Sequence, residues 1–433
     1  MITTLKNRFA QSVSSKLARD TAIMSVGQVS RLAIQALYFV AVARTLGSQQ
    51  YGAFVAIVAI VGIAAPFAGV GGPSVLLKYV SVDRELIGVY WGNGLLLILA
   101  SGSFFTFILV IFGPRVIGSN LRVAIVCMAF SELILARTVD LASFAWAALG
   151  RMHKTALLNV YVSLSRLVCI LLLSLMKPHP NVQQWCIAVL CGSIACCFYS
   201  VWGIGRIAGI SIDLERLRKS LTEGAYFAAG GSAATFYNDI DKTMLARMSD
   251  MRSTGIYGAA YRLIDVSMAP IKAMTSSAYA EFFRQGVKGP KATSAYAYRL
   301  IKRAAPFGAI LFVGSMVGAP LVPLILGKDF GSSVEALRWL AILPLMRCGH
   351  YFLGDALSGA GLNATRTIIQ VIVAATNVGL NVYFIRHWTW RGAAWTSILC
   401  DGLLVVGFAT ALAIVQRYPR HSRFNQSAVP GTC

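Results

Sequence analysis

The sequence has few charged residues. Asp, Glu, Lys and Arg make up 13% of its 433 residues, and hydrophobic residues make up 57%. A water-soluble domain devotes about a quarter of its residues to these four charged types. The composition therefore excludes an ordinary soluble enzyme or binding domain and indicates an integral membrane protein, with no stretch polar enough for a large soluble domain.

Several signatures of catalysis are also missing. There is no GxxxxGK[ST] phosphate loop, the five histidines form no HExxH motif, and the nine cysteines form no CxxC pair. Nucleotide hydrolysis, zinc-dependent hydrolysis and dithiol chemistry therefore lack their usual residues. The sequence predicts no enzyme activity, no cofactor and no metal site, and it predicts that the cysteines serve as small hydrophobic side chains.

Long apolar segments are abundant. A helix needs roughly 20 apolar residues to cross the hydrocarbon core of a bilayer. Such segments lie at 20–44, 51–71, 88–113, 121–147, 155–176, 183–205, 222–247, 254–281, 304–326, 333–359, 366–385 and 391–416. The predicted fold is all-α, with about twelve transmembrane helices.

Positive charge indicates the orientation. The formal net charge is +22, and with a cytoplasmic N-terminus the inner loops and tails hold more than half of the 39 Lys and Arg residues. Lys and Arg near short loops resist translocation, so both termini are predicted to be cytoplasmic. Because the same rule explains the dispersed positive charge, nucleic acid is not a predicted partner.

An internal repeat organises the chain. "ARTLGSQQYGAF" after the first predicted span is echoed by "ARMSDMRSTGIYGAA" after the seventh, and two further pairs of segments keep the same order, about 200 residues apart. Two copies with an even number of spans have the same orientation, which predicts two six-helix lobes around a central cavity. The predicted divisions are a cytoplasmic lead-in (1–19), an N-terminal lobe (20–208), an amphipathic cytoplasmic connector (209–221), a C-terminal lobe (222–416) and a cytoplasmic tail (417–433).

Ionisable residues occur inside the predicted spans, for example in "FYNDIDKTMLARM". Such groups cost about 2.5 to 3.5 kcal/mol on insertion scales, so they are expected to face protein or a hydrated cavity. Three pairs at i,i+3 spacing are predicted to neutralise one another, with packing and transport equally open as their roles. They are Arg137 with Asp140, Asp239 with Lys242, and Arg262 with Asp265. Asp241 lies about 200° around the helix from Asp239, so the two are expected not to share a pocket, and one of them is expected to have a partner on another span.

Four cations in the spans have no acid nearby in the sequence: Arg31, Arg166, Lys272 and Arg347. A guanidinium group stays charged at physiological pH and offers paired donors that fit phosphate oxygens. These four are predicted to line the cavity and to contact an anionic cargo such as a phosphate or diphosphate head group. Glycine-rich stretches such as "FAGVGGPS" are expected to allow close helix packing or local unwinding.

Four segments carry a family resemblance: "ARTLGSQQYGAF", "YNDIDKTMLARM" with "TGIYGAAYRL", "LILGKDFGSSVEALRWLAILPL" and "NVGLNVYFIRHWTWRGAAWTSI". Together they resemble the polysaccharide transporter family, which includes the Wzx-type flippases of the multidrug/oligosaccharidyl-lipid/polysaccharide exporter superfamily. The resemblance covers residues from about 18 to 416.

The resemblance implies a multi-pass protein of the bacterial inner membrane that flips an undecaprenyl-diphosphate-linked oligosaccharide by alternating access. The product implied is O-antigen, capsule or exopolysaccharide, and the implied partners are membrane lipid, a polysaccharide polymerase and chain-length proteins. It also implies charged residues along the cavity. The candidates for coupling or gating are Asp239, Asp241, Lys242, Glu132 and Asp401, and Asp239 is an acid in excess of the family pattern.

Two alternatives stay open at this point. A cation-coupled multidrug exporter shares the superfamily's architecture, but an acid-dominated cavity with aromatic lining suits it better than arginines in the spans. A membrane scaffold that transports nothing has no need of buried charges.

Overall fold

The computed structural model describes residues 2–177 and 180–417, and the side chains of all of these except 2–22, 25, 219, 222–223, 226–238 and 280. Within these ranges the regular structure is helical and contains no β-strand. The α-helices are, in order, α1 (Ile2–Ala64), α2 (Gly72–Val80), α3 (Ile87–Ile117), α4 (Arg122–Phe130), α5 (Ala136–Ala148), α6 (Met152–Met176), α7 (Val182–Gly205), α8 (Leu214–Met248), α9 (Met251–Ser267), α10 (Ala269–Gly286), α11 (Pro290–Gly318), α12 (Val322–Leu326), α13 (Ser333–Leu340), α14 (Leu343–Gly359) and α15 (Asn363–Arg417).

Two of these helices contain two predicted spans each. Helix α1 bends at Gly47, where φ is 68° and ψ is 172°. Helix α15 bends at Thr389, where φ is 51° and ψ is −127°. Positive φ is rare for any residue but glycine, and a β-branched residue there is strained. In each of these two helices, the two predicted spans are thus joined by a break at a single residue rather than by a loop.

Six helical segments are long and apolar enough to span a membrane, counted over the described residues alone: Val26–Phe67, Arg84–Ile117, Met152–Met176, Val182–Gly205, Pro290–Leu326 and Asn363–Arg417. The other predicted spans are interrupted or more polar. Pro270 is the second residue of α10, which follows α9 directly, and Pro344 is the second residue of α14, which follows α13 directly. Proline lacks the N–H that would continue the preceding helix. The predicted number of twelve spans stays a prediction.

The second predicted span unwinds at "FAGVGGPS". Gly69, Val70 and Gly71 all have positive φ, of 81°, 42° and 65°. A Cβ atom at Gly71 would overlap the backbone of Gly224 in α8, and one at Gly224 would overlap the carbonyl oxygen of Val70. This stretch therefore shows both effects expected of it, local unwinding and close backbone contact.

The chain divides into two compact units, with the boundary between Thr243 and Met244. In the first, the core lies around the fully buried Trp91, with Leu76, Leu141 and Trp146. In the second, Phe282, Phe330 and Phe352 are fully buried. The predicted lobe boundaries at 208 and 222 stay predictions.

The predicted connector, 209–221, is bound to α3 before it enters α8. Asn93 donates to the carbonyl oxygen of Asp213 and accepts from its N–H, at 3.0 and 3.1 Å. Cβ atoms at Gly88 and Gly92 would overlap the backbone of Gly209 and Ser211. The two glycines thus leave the space in which the connector lies.

Candidate functional site

The first unit contains a charged cluster in which an arginine and an acid from different helices meet. Arg166 of α6 forms an ion pair through Nη2 with Oε1 of Glu132. Both side chains are partly buried, with 29% and 22% of their surface exposed. The pair is therefore neither sealed inside the protein nor fully exposed.

Glu132 lies on a turn of π-helix. The turn, Ser131–Leu135, joins α4 to α5. Ser131 Oγ is 2.6 Å from Ser193 Oγ of α7. On the α3 side, a Cβ atom at Gly102 would lie only 2.7 Å from the carbonyl oxygen of Leu133. A π turn inserts one residue into the helical repeat and redirects the side chains that follow, and such turns occur frequently at functional sites.

Two more arginines complete the cluster. Arg137 Nη1 is 3.2 Å from Asp140 Oδ2, which confirms that predicted pair. Asp140 also interacts electrostatically with Arg31 and Arg166. Arg137 and Arg166 thus each form an ion pair, Arg31 acts on Asp140 through its charge alone, and with both carboxylates ionised the group has a formal charge of +1. We call these five residues the arginine cluster.

The cluster retains unused hydrogen-bond donors. The Nε atoms of Arg137 and Arg166 are buried and have no hydrogen-bond partner among the described residues. A buried N–H without an acceptor is costly, and a charged one more so. An anion with several oxygens would supply the missing acceptors and offset the net charge.

A second group of charges lies on α8, at the end of the same unit. Lys242 Nζ is 3.1 Å from Asp239 Oδ1 and 3.6 Å from Asp241 Oδ1. The first distance confirms the predicted Asp239–Lys242 pair. Asp241 is 3% exposed and Asp239 is 29% exposed, but both carboxylates approach the same ammonium group, so the expectation that they do not share a pocket is wrong. Asp239 lies beside Gly62 of α1, where a Cβ atom would be 3.2 Å from Oδ2.

A third group lies in the second unit around Arg347 of α14. Its Nε is 3.1 Å from Asp401 Oδ2, its Nη1 is 3.1 Å from Asp265 Oδ1, and its Nη2 donates to the Tyr261 hydroxyl. Arg347 is 3% exposed and Asp401 is 1% exposed. The guanidinium is therefore held on three sides by protein groups. We call Arg347, Asp265, Asp401, Lys272 and His350 the Arg347 network.

Lys272 and His350 border this network. Lys272 Nζ is 3.8 Å from Asp265 Oδ1, and half of its side chain is exposed. His350 Nε2 is 3.7 Å from Asp401 Oδ1. Two cations face two carboxylates, so the network is neutral when His350 is uncharged. This balance contrasts with the positive excess of the arginine cluster.

One predicted pair is wrong. Arg262 and Asp265 are three residues apart on α9, but Arg262 is exposed and Asp265 pairs with Arg347 and Lys272 instead. Helical spacing brings two side chains onto one face but does not exclude a better partner from another helix.

Sequence reasoning missed several members of these groups. The sequence predicts only a local partner, Asp140, for Arg137, and it predicts no role for Tyr261 or His350 in a charged group. Tyr261 precedes Asp265 by one helical turn, a spacing that could have indicated it. For His350 the sequence carries no such signal, because its neighbour Asp401 is on another helix and distant in the chain.

The fold and these groups define a polytopic, all-helical membrane protein with ion-paired residues inside its helices, as the composition predicts. No group of three metal-binding side chains occurs in the part of the chain that the structure describes.

The comparisons with known proteins give the family. The model of the family described as "Polysaccharide biosynthesis protein" matches residues 17–282, so the chain belongs to that family. This confirms the resemblance inferred from the motifs. A curated relative from Haloferax volcanii, "Probable low-salt glycan biosynthesis flippase Agl15", is 23% identical over 95% of this chain and 84% of its own length.

Solved structures show the same fold. An inward-facing "multidrug resistance MATE family transporter of the MOP superfamily" is 16% identical with a TM-score of 0.74, over 90% of this chain and 99% of that chain. The "Lipid II flippase MurJ, inward closed conformation" is 12% identical, also with a TM-score of 0.74, over 90% of this chain and 87% of that chain. These relatives are flippases and transporters, so the expectation that the chain is not an enzyme is confirmed.

Proposed function

We propose that this protein is a flippase that moves an undecaprenyl-diphosphate-linked oligosaccharide across the bacterial inner membrane for a surface polysaccharide. Its family and its relative named as a glycan biosynthesis flippase support a lipid-linked glycan as cargo. The observation that carries the proposal is the arginine cluster, whose three arginines outnumber its two carboxylates. We place both termini in the cytoplasm, as the distribution of Lys and Arg predicts.

The diphosphate is the part of the cargo that the arginine cluster recognises. A diphosphate offers several oxygens to the Nε donors of Arg137 and Arg166, and charge-assisted bonds of this kind are stronger than neutral ones. In the absence of cargo, Glu132 occupies Arg166 and limits the cost of an uncompensated buried charge. When the cargo binds, its phosphate oxygens replace that carboxylate as the partner of Arg166. When the cargo leaves, Glu132 and Arg166 form their ion pair again.

Transport follows by alternating access of two lobes around a hydrated cavity. The sugar and diphosphate cross through the cavity while the lipid tail stays in the bilayer. The membrane potential supplies about 2.3 kcal/mol per charge per 100 mV, and an anion moving outward from a negative interior is driven in the right direction. The candidates for coupling remain Asp239, Asp241, Lys242, Glu132 and Asp401.

The four cations predicted to contact cargo have different surroundings, and the proposal treats them differently. Arg31 and Arg166 belong to the arginine cluster and are assigned to the diphosphate. Lys272 is half exposed and can leave Asp265 to meet cargo. Arg347 is already held by three protein groups, so we assign it to the stability and coupling of the second unit.

A multidrug exporter is the second candidate function, because a multidrug transporter has the same fold. A site for a cationic drug is expected to carry an excess of carboxylates. The arginine cluster has the opposite excess, which favours an anionic cargo.

Complementation of a deletion strain tests the proposal. Arg31→Ala, Arg137→Ala and Arg166→Ala are each expected to abolish or strongly reduce surface polysaccharide and to leave the lipid-linked intermediate on the cytoplasmic face. Arg262→Ala is the matched control, because it removes an equal charge from an exposed position outside the cluster. Normal polysaccharide in the Arg31 and Arg166 variants, with normal membrane insertion, contradicts the proposal. Drug sensitivity of the deletion strain with normal polysaccharide would favour the exporter.

A further inference from the structure

A group of aromatic rings converges at the bend of α15. Trp388 lies 5.5 Å from Trp395, 5.6 Å from Phe384 and 6.1 Å from Tyr383, measured between ring centroids. The chain of rings continues from Trp395 to Trp339 of α13 at 5.8 Å, and from Tyr383 to His387 at 4.6 Å. We call these six residues, Trp339, Tyr383, Phe384, His387, Trp388 and Trp395, the aromatic corner.

The backbone holds the corner in a constrained shape. Thr389, directly after Trp388, has a φ of 51° that a β-branched residue rarely adopts. Three residues later, a Cβ atom at Gly392 would overlap the carbonyl oxygen of Phe384, so the two sides of the bend are in backbone contact. Strained residues of this kind persist where the surrounding structure requires them, and they cluster at binding sites.

An ion pair joins the bend to α13. Arg391 donates from Nε and Nη2 to the two carboxylate oxygens of Glu335, both at 2.9 Å. This two-pronged geometry fixes direction as well as distance. The ion pair therefore fixes the position of the ring on α13 relative to the rings on both sides of the bend.

The corner presents apolar faces and polar groups together. Tyr383, Trp339 and Trp388 are 56%, 43% and 39% exposed. His387 and Arg386 are exposed beside them, and the Arg391–Glu335 pair is exposed at the other edge. A surface with flat rings interleaved with donors and acceptors matches a sugar, which has apolar C–H faces and hydroxyl edges.

Aromatic residues at a membrane interface are the plain alternative. Such residues anchor a helix because their rings lie at the level of the lipid head groups. Trp202 near the end of α7 fits that pattern: it is 53% exposed, and Arg206 lies over its ring at 4.8 Å. The aromatic corner differs in that its rings contact one another, come from two helices and surround a strained bend. Anchoring requires none of these three features.

We propose that the aromatic corner binds the oligosaccharide part of the cargo, with pyranose rings stacked on Trp388 and Tyr383. This inference rests on the proposed function. In the predicted topology the connection between the eleventh and twelfth spans is on the outer side of the membrane. The corner therefore binds the glycan as it reaches the outer side of the membrane, whereas the arginine cluster binds the diphosphate.

Binding of two separate probes tests this assignment in the full-length protein in lipid nanodiscs. The first probe is the free oligosaccharide, released by mild acid from the lipid-linked intermediate that accumulates in a deletion strain. The second is inorganic pyrophosphate. Trp388→Ala is expected to raise the Kd for the oligosaccharide about fivefold, which corresponds to about 1 kcal/mol for one aromatic contact, and to leave pyrophosphate binding unchanged. Trp388→Phe keeps a ring and is expected to retain most of the affinity.

Trp202→Ala is the matched control, because it removes an exposed tryptophan of the anchoring type. Unchanged oligosaccharide binding in Trp388→Ala, or an equal loss in Trp202→Ala, overturns the proposal and identifies the corner as an interfacial anchor. If Trp388→Ala fails to insert, Tyr383→Ala decides the question by the same criteria. Pyrophosphate binding that survives Arg166→Ala would count against the proposed function alone, so the two failures are distinguishable.

Discussion

Arg166 and Glu132 are 34 positions apart in the chain, lie on different helical elements, and form an ion pair. The pair places a negative group on the arginine that we assign to phosphate binding. Glu132 lies on a π turn, a feature that occurs frequently at functional sites. Under the proposed function, we expect this pair to open and close with each transport cycle.

Glu132→Gln removes the charge that competes with phosphate and keeps the shape of the side chain. We expect pyrophosphate to bind about three- to tenfold more tightly, corresponding to about 1 kcal/mol for a partly exposed pair. Transport is expected to slow, because Arg166 then has no carboxylate to return to. Calorimetric binding and surface polysaccharide levels check the two halves of this prediction, and Asp329→Asn, which removes an exposed carboxylate, is the control. Pyrophosphate affinity equal to that of the unmodified protein would show that Glu132 does not compete.

Gly102→Ala would place a Cβ atom 2.7 Å from the Leu133 carbonyl oxygen and disturb the π turn. We expect a loss of about 1 to 3 kcal/mol in stability, as for overpacking in general, together with weaker pyrophosphate binding. Gly314→Ala is the matched control, because it lies within a helix and a Cβ atom there meets nothing within 4 Å. That variant is expected to be neutral or slightly stabilising, by up to about 1 kcal/mol. Thermal unfolding followed by size-exclusion chromatography compares the two, and equal midpoints would contradict the prediction.

Arg347→Ala would leave Asp401, 1% exposed, without its cation. Removing one partner of a buried ion pair typically costs about 3 to 5 kcal/mol, because the remaining charge stays buried. We expect a large drop in the midpoint of thermal unfolding, and we expect Arg347→Ala combined with Asp401→Leu to recover much of it. Lys272→Ala, at a half-exposed position in the same network, is expected to change stability by less than about 1 kcal/mol. Similar midpoints for the two single variants would contradict the assignment of Arg347 to stability.

Asp250 caps the first turn of α9 outside the predicted spans, accepting from the Ser253 N–H at 2.8 Å and from its hydroxyl at 2.7 Å. Burial by itself raises the pKa of Asp250, but these hydrogen bonds outweigh it, so the pKa lies below its ordinary value. A carboxyl group whose pKa is lower in the folded than in the unfolded protein stabilises the fold at pH values above the unfolded pKa, which is about 3.9. This stabilisation is lost as the pH falls through the folded-state pKa.

Asp250→Ala is therefore expected to lose about 1 kcal/mol at neutral pH. Asp250→Asn keeps an acceptor for the cap and is expected to lose less stability. Because it cannot titrate, it is also expected to remove the part of the stability loss at acid pH that Asp250 causes. Unfolding midpoints measured from neutral pH to about pH 2 check both expectations. An Asn variant with the same acid sensitivity as the unmodified protein would contradict the role given to Asp250.

Local spacing predicted some charge pairs correctly and one incorrectly. Arg137 with Asp140 and Asp239 with Lys242 meet at 3.2 and 3.1 Å, because three residues along a helix bring two side chains to one face. Arg262 fails to meet Asp265, because Arg347 and Lys272 approach that carboxylate from other helices. A residue's neighbours across a helix interface are absent from its local sequence.

The sequence alone determined the class of protein. Its low charge and long apolar segments require a lipid environment, and in lipid the backbone hydrogen bonds must be satisfied within helices. Its motifs indicated the family, and its glycines indicated where a helix would unwind. Only the tertiary structure decided which acid meets which cation, where the π turn places Glu132, and that six rings converge at Thr389. Such contacts depend on distances of a few ångströms between helices far apart in the chain, and neither composition nor periodicity fixes those distances.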